Sequence, residues 1–239
     1  MAQQTFGEVS WDNSYGGSAK KSNSKDLFLK LVDGDNILRI ITRPQQYIVH
    51  KVKFGSLDKY GQKVGCSKLH GSCPICDLSE NLMNSAVADE VKRGKDMKAK
   101  ARWYVGALSR VDGKAKILDI SWTVFDQIKK LAVSKHWGSP NGYDINVLLD
   151  RNGGATGYYN VQPLSKSPLT AEEQLLVDSF PLEDLQTRVT PPKLETVMKR
   201  VEFLEKQYQY KLFEPTVDNS SNDEESESDD SEDFPSFND

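Results

Sequence analysis

All three cysteines and two of the three histidines of this chain fall in one short stretch, His50 to Cys76, reading HKVKFGSLDKYGQKVGCSKLHGSCPIC. Cys73-Pro74-Ile75-Cys76 is a C-x-x-C turn, a spacing that lets two thiolates hold one tetrahedral ion, and Cys66 with a histidine completes four ligands. The chemistry this predicts is structural: one Zn²⁺ enclosed by four protein ligands keeps no open position for a substrate water. His50 lies on an alternating stretch, Ile48, His50, Val52 and Phe54, whose common face points toward a core. It is the favoured fourth ligand. His70, between Cys66 and Cys73, would close a very tight loop and is its rival.

Other uses of these cysteines fit less well. A redox C-x-x-C sits between a strand and a helix of a βαβ unit, and no such pattern surrounds this one. Three cysteines leave one unpaired in a disulfide framework, and 239 residues build a core without staples. No G-x-x-x-x-G-K-[ST] loop, H-E-x-x-H helix, G-x-S-x-G elbow or deaminase H-x-E occurs, so the expectation is a protein without catalytic activity.

The second chemistry is cationic and aromatic. Lys51, Lys53, Lys59, Tyr60 and Lys63 interleave through the cysteine segment, and Lys98, Lys100, Arg102, Trp103 and Tyr104 do so further on, with Trp122 beyond them. Single-stranded nucleic acid is held by these two terms, phosphate neutralisation and base stacking. Trp103 and Tyr104 are adjacent and point to opposite faces of any strand, so at least one of them belongs to a core.

Composition sets the frame for both sites. The chain carries 31 basic and 35 acidic residues, eleven of the acidic ones between Glu214 and Asp239, where there is no Lys or Arg. Residues 1–213 therefore hold 24 acidic side chains and a net charge of +7. The tail, 214–239, is too polar to offset its chain entropy and is expected to be disordered, with Phe234 and Phe237 as apolar anchors for a basic partner. Folded back over the body, it would compete with nucleic acid. Residues 1–25 read as a flexible arm. No apolar run approaches the ~20 residues of a membrane span and no signal peptide is visible at the start, which predicts a cytoplasmic protein without membrane contact.

Between arm and tail the pattern predicts short antiparallel strands. Leu27–Val32 and Ile37–Thr42 flank Asp33-Gly34-Asp35, and Tyr47–Phe54 is a third strand. Asp77 is placed to cap a helix through Leu78, Leu82, Ala86 and Val87, which then breaks into VKRGKDMKAKAR. Ala101–Val111 and Lys114–Thr123 flank Asp112-Gly113, the signal for a two-residue type I′ hairpin. Phe125, Ile128, Leu131 and Ala132 recur at helical spacing. A second hairpin pairs Tyr143–Asp150 with Ala155–Leu164, Thr170 to Glu173 is a capping box, and Pro191-Pro192 opens a helix with an apolar stripe from Leu194 to Tyr208. The fold class expected is mainly β with α: an OB-type Greek-key barrel over residues 26–213, with a zinc-binding insertion at about 47–95 and C-terminal helices.

Tyr47-Ile48-Val49-His50 before a basic loop, Cys66 followed by Leu69-His70-Gly71, then Ser72-Cys73-Pro74-Ile75-Cys76, Lys100-Ala101-Arg102-Trp103-Tyr104 and the helix Val124 to Leu131 carry a resemblance. Over approximately residues 35–165 the chain resembles the zinc-containing single-stranded DNA-binding proteins of T-even-type tailed phages, the helix-destabilising replication proteins. The resemblance implies His50, Cys66, Cys73 and Cys76 as ligands, with the second histidine unligated. It implies an OB-fold core and sequence-tolerant binding in phage DNA replication, recombination and repair, in the host cytoplasm. It also implies self-association along the strand through a basic arm, and an acidic tail that recruits replication or recombination proteins. The arm here has Lys20-Lys21-Ser22 where that family has a denser basic motif very near its start. A second reading is a zinc-ribbon transcription or replisome adaptor acting mainly through protein contacts.

Overall fold

Residues 27–154 and 158–213 are described by a computed structural model. The expectations for the arm and the acidic tail lie outside the described residues. Among the described residues eight strands form one sheet: β1 (Phe28–Leu29), β2 (Ile37–Ile40), β3 (Gln45–Val52), β4 (Gln62–Gly65), β5 (Lys100–Ser109), β6 (Ala115–Ile120), β7 (Tyr143–Leu149) and β8 (Tyr159–Lys166). Six α-helices accompany them among the described residues: α1 (Pro74–Met83), α2 (Ala88–Met97), α3 (Trp122–Val133), α4 (Ala171–Asp178), α5 (Leu182–Val189) and α6 (Leu194–Tyr208). The architecture is mixed α and β. None of these helices is long and apolar enough to cross a membrane.

β5 is the hub. Its first half pairs with β3, its last residues pair with β2, and β6 runs along its other edge, all antiparallel. β2 and β3 thus behave as one strand broken at residues 41–44, where Pro44 has no N–H to give to a ladder. Thr42 Oγ1 accepts from Gly106 N at 2.7 Å at the break, and a Cβ on Gly106 would meet Thr42 Cγ2 at 2.7 Å. Beyond β2 the sheet continues through β7 to β8.

Two cores result. One lies between the sheet and α3 and contains Leu38, Ile40, Trp103, Val105, Leu118, Ile120, Val124 and Tyr143. The other gathers Val52, Phe54, Val64, Cys66, Cys73, Ile75 and Met97 with Val197, Val201 and Leu204 of α6. The last helix therefore packs on the cysteine segment; Leu194 and Met198 of its expected stripe stay exposed.

Several local expectations are corrected. Phe28–Leu29 pairs in parallel with β6 instead of forming a hairpin with β2, and Gly34 bridges to Leu149. The β5–β6 turn is longer than two residues: Ser109 N bonds Lys114 O, and within the turn only Gly113 has positive φ, whereas type I′ needs it twice. α1 begins at Pro74 behind Cys73, so Asp77 sits inside the first turn. The first part of the stretch read as a break, residues 91–97, is helical, within α2. Gly94 is there for contact, since a Cβ would come within 2.8 Å of both Met83 N and Ser79 O, and Ser79 Oγ donates to Gly94 O at 2.7 Å. β4 and α5 were not foreseen.

Candidate metal centre and cationic aromatic face

Four side chains from three elements meet at one point. His50 comes from the buried face of β3, Cys66 directly follows β4, Cys73 is the N-cap residue of α1 and Cys76 lies in that helix's first turn. Pairing of His50 with Val64 and a Cys66 N–H bond to Ile48 O bring β4's end back beside β3. A short 3-10 turn at Lys68–His70 then reverses the chain, with Ser67 Oγ donating to Ser72 O at 2.7 Å, and Pro74 starts α1 at the position that needs no N–H donor.

The geometry fits a tetrahedral ion. Cys66 Sγ to Cys76 Sγ is 3.6 Å, and His50 Nε2 lies 3.4 Å from Cys73 Sγ and 3.6 Å from Cys76 Sγ. All four ligand atoms lie within 4.8 Å of one another. Bond lengths of about 2.3 Å to sulfur and 2.0 Å to nitrogen in a tetrahedron give edges of about 3.8 Å (S to S) and 3.5 Å (S to N). His50 Nδ1 lies 2.8 Å from Met97 O; a carbonyl only accepts, so Nδ1 carries a proton and Nε2 is the nitrogen turned toward the sulfurs.

Charge points the same way. The Cys73 thiol is held far below its ordinary pKa by hydrogen bonds from Cys66, then Cys76, with His50 adding to them. The Cys76 thiol, donating to Cys66 and Cys73 and half-buried, is pushed up. Burial works against an imidazolium at His50, yet bonding to Cys66, Cys73 and Met97 O outweighs it and raises its pKa to about 9. These groups hold negative charge on sulfur beside the N-terminus of α1, which favours it. His50, Cys66 and Cys73 are buried and Cys76 is half-buried, so this is a buried His/Cys₃ cluster compatible with one structural metal ion such as zinc. His70 is exposed and its Nε2 bonds Pro191 O at 3.0 Å, away from the sulfurs.

The cationic and aromatic residues divide by face. Register pairs Lys51 with Lys63, Val49 with Lys100, Tyr47 with Arg102 and Tyr104 with Asp119, so all of these side chains share one side of the sheet. There Tyr47 and Tyr104 stack at 4.3 Å between centroids, Phe28 meets Tyr104 at 5.7 Å, and the Arg188 guanidinium of α5 lies 5.5 Å from the Phe28 ring centre. Phe28, Tyr47 and Tyr104 are half-buried. The Tyr47 hydroxyl is buried without a hydrogen-bond partner among the described residues, and burial together with the Asp119 carboxylate holds its pKa well above the usual phenol value. A cleft of about 180 Å³ runs from Tyr47 past Cys66 to Arg188 and Pro192.

Trp103 does not belong to this face. It is 5% exposed and stacks on Phe125 at 4.1 Å and 4° inside the first core, because alternation along β5 sends it opposite to Tyr104. Trp122 opens α3 and packs with Trp103 and Phe125, half-buried on that same core. Lys53, Lys59 and Tyr60 stand on the exposed loop between β3 and β4, with Tyr60 83% exposed, and Lys98 is exposed before β5. Phe28 and Arg188 were missed. Phe28 had no signal beyond a strand-like run, and Arg188 reaches the face only through the packing of α5. In comparisons with known protein families and with curated proteins, no family model and no protein matches this chain.

Proposed function

We propose that this protein binds single-stranded DNA with little sequence preference, in the manner of the phage replication proteins it resembles, and that its His/Cys₃ cluster holds one structural Zn²⁺. The observation that carries the reading is the sheet face on which Phe28, Tyr47 and Tyr104 lie among Lys51, Lys63, Lys100, Arg102 and Arg188. Rings give bases a surface to stack on, and the cations release counterions from phosphates. Neither needs a particular base. The ion would clamp β3, β4 and α1 together, and with them the loop that carries Lys53, Lys59 and Tyr60.

The strand order supports an OB-type barrel. Setting aside β1 on β6 and β4 on β3, and with β2 and β3 counted as one broken strand, five strands run β6, β5, β2/β3, β7, β8, and α3 packs on both β6 and β8, as a partly open Greek-key barrel would have it. The cysteine segment, α1 and α2 then form an insertion between its first two strands. Zinc is favoured among metals because three thiolates and one imidazole in a tetrahedron suit it.

Fluorescence titration with oligo(dT) and with duplex of the same length tests the reading. Preference for the single strand, weakening steeply as salt rises, is the expected result; equal affinity for both, or none for either, refutes it.

A further inference from the structure

We propose that Asp119 is an internal counter-ion that latches the cationic face: its carboxylate occupies the place of a phosphate between Arg102 and Lys63, and a bound strand must displace it. The inference rests on the nucleic-acid reading above and assigns a role to an acidic residue of that face, Asp119, whose charge opposes its cations. Asp119 Oδ1 accepts from Arg102 Nε at 2.9 Å and Oδ2 accepts from Lys63 Nζ, so each oxygen holds one cation.

The latch spans the sheet. Lys63 on β4 is opposite Lys51 of β3, whereas Asp119 on β6 is opposite Tyr104 of β5, which is itself opposite Gln45 of β3. The two residues are thus three strands and six residues apart, which in a flat sheet would put their Cα atoms roughly 24 Å from each other. Two side chains cannot bridge that distance. The sheet must therefore curl toward this face, and the Lys63–Asp119 bond runs across the hollow, tying the cysteine-bearing hairpin to the far wall.

Exposure separates this contact from a structural one. The Lys63 side chain is 54% exposed and that of Arg102 26%, so an incoming phosphate can reach both. Arg39, by comparison, is 1% exposed and bonds Asp144, Asn141 O and two atoms of Ser167, leaving nothing to exchange. The Lys63–Asp119 pair has an exposed partner and contributes little to stability, so opening that arm of the latch costs little. What it changes is binding: while latched, Lys63 and Arg102 together present one net positive charge instead of two.

The test is anisotropy of labelled oligo(dT) against wild type and Asp119→Asn over a salt series, with thermal melting of both. Asp119→Asn is expected to bind about 3–10-fold tighter near 0.1 M salt, with a log–log salt slope steeper by about 0.7. Equal or weaker binding by a variant that melts like wild type overturns the latch while leaving single-strand binding intact. Wild type that fails to bind oligo(dT) overturns the functional reading itself. Should Asp119→Asn fail to fold, Lys63→Gln and Lys51→Gln decide: Lys51 is exposed, lies opposite Lys63 and has no ion pair among the described residues. Its loss is expected to cost several-fold more affinity than loss of the already neutralised Lys63, and equal costs overturn the proposal.

Discussion

His50 Nδ1 donates to the backbone oxygen of Met97 across 2.8 Å, so the last residue of α2 sets the tautomer of a histidine on β3. The ring can then turn only Nε2 toward Cys73 and Cys76.

Metal content should follow from that relationship. The purified protein is expected to carry one zinc per chain by elemental analysis. His50→Ala should lose it, with a penalty beyond the roughly 10–100-fold seen when an outer partner of a ligand is removed, while His70→Ala keeps full stoichiometry. Acid should release the ion, because the thiols and the imidazolium must shed protons to bind it. Retention by His50→Ala would show that the site is assembled differently.

Adjacent aromatics should give opposite phenotypes. Tyr104→Ala is expected to weaken oligo(dT) binding by about 1–3 kcal/mol with modest loss of stability. Trp103→Ala removes a ring stacked inside the first core and should lower unfolding free energy by about 3–5 kcal/mol in urea titration.

The Arg39–Asp144–Arg110 network predicts a pH dependence. Burial works against the Asp144 carboxylate, but hydrogen bonds from Arg110 and Arg39 outweigh it and hold its pKa below the usual range. A depressed carboxylate contributes stability that is present above the unfolded value of about 3.9 and is lost as pH falls through the folded one. Asp144→Asn should cost about 3–5 kcal/mol at neutral pH, since it leaves the buried Arg39 guanidinium without its counter-charge. The variant's acid limb should be flatter, as read by urea midpoints between about pH 2 and 6.

Gly94→Ala should destabilise despite alanine's higher helix propensity, which is worth about 1 kcal/mol. The new methyl would meet backbone atoms of Ser79 and Met83 at 2.8 Å, and backbone does not yield as a side-chain tip does. A loss of about 1–3 kcal/mol is expected, and a rise in thermal midpoint would contradict the close α1–α2 packing.

The three clustered cysteines and the capping box at Thr170 and Glu173 were legible because each depends on contacts or geometry written in local spacing. C-x-x-C spacing brings two thiolates together, although the helix start at Pro74 was not read from it, and alternation from Ile48 to Phe54 predicts which side of β3 is buried. Gly94 misled because a glycine in a polar helix reads as a break, and only the neighbouring helix reveals it as a point of contact. The β5–β6 turn misled in the same way: Asp112-Gly113 announces a reversal, but the ladder decides how many residues it takes.

From residue order alone came the basic body, the cysteine cluster with its choice of two histidines, and the interleaving of cations with rings, since composition and short spacings survive without a fold. Tertiary structure alone decided that His50 and not His70 meets the sulfurs, that Tyr104 and not Trp103 joins the cationic face, and that Asp119 stands between Lys63 and Arg102. Those outcomes depend on register and on the curl of the sheet, which bring together side chains far apart in sequence, and no local pattern encodes such distances.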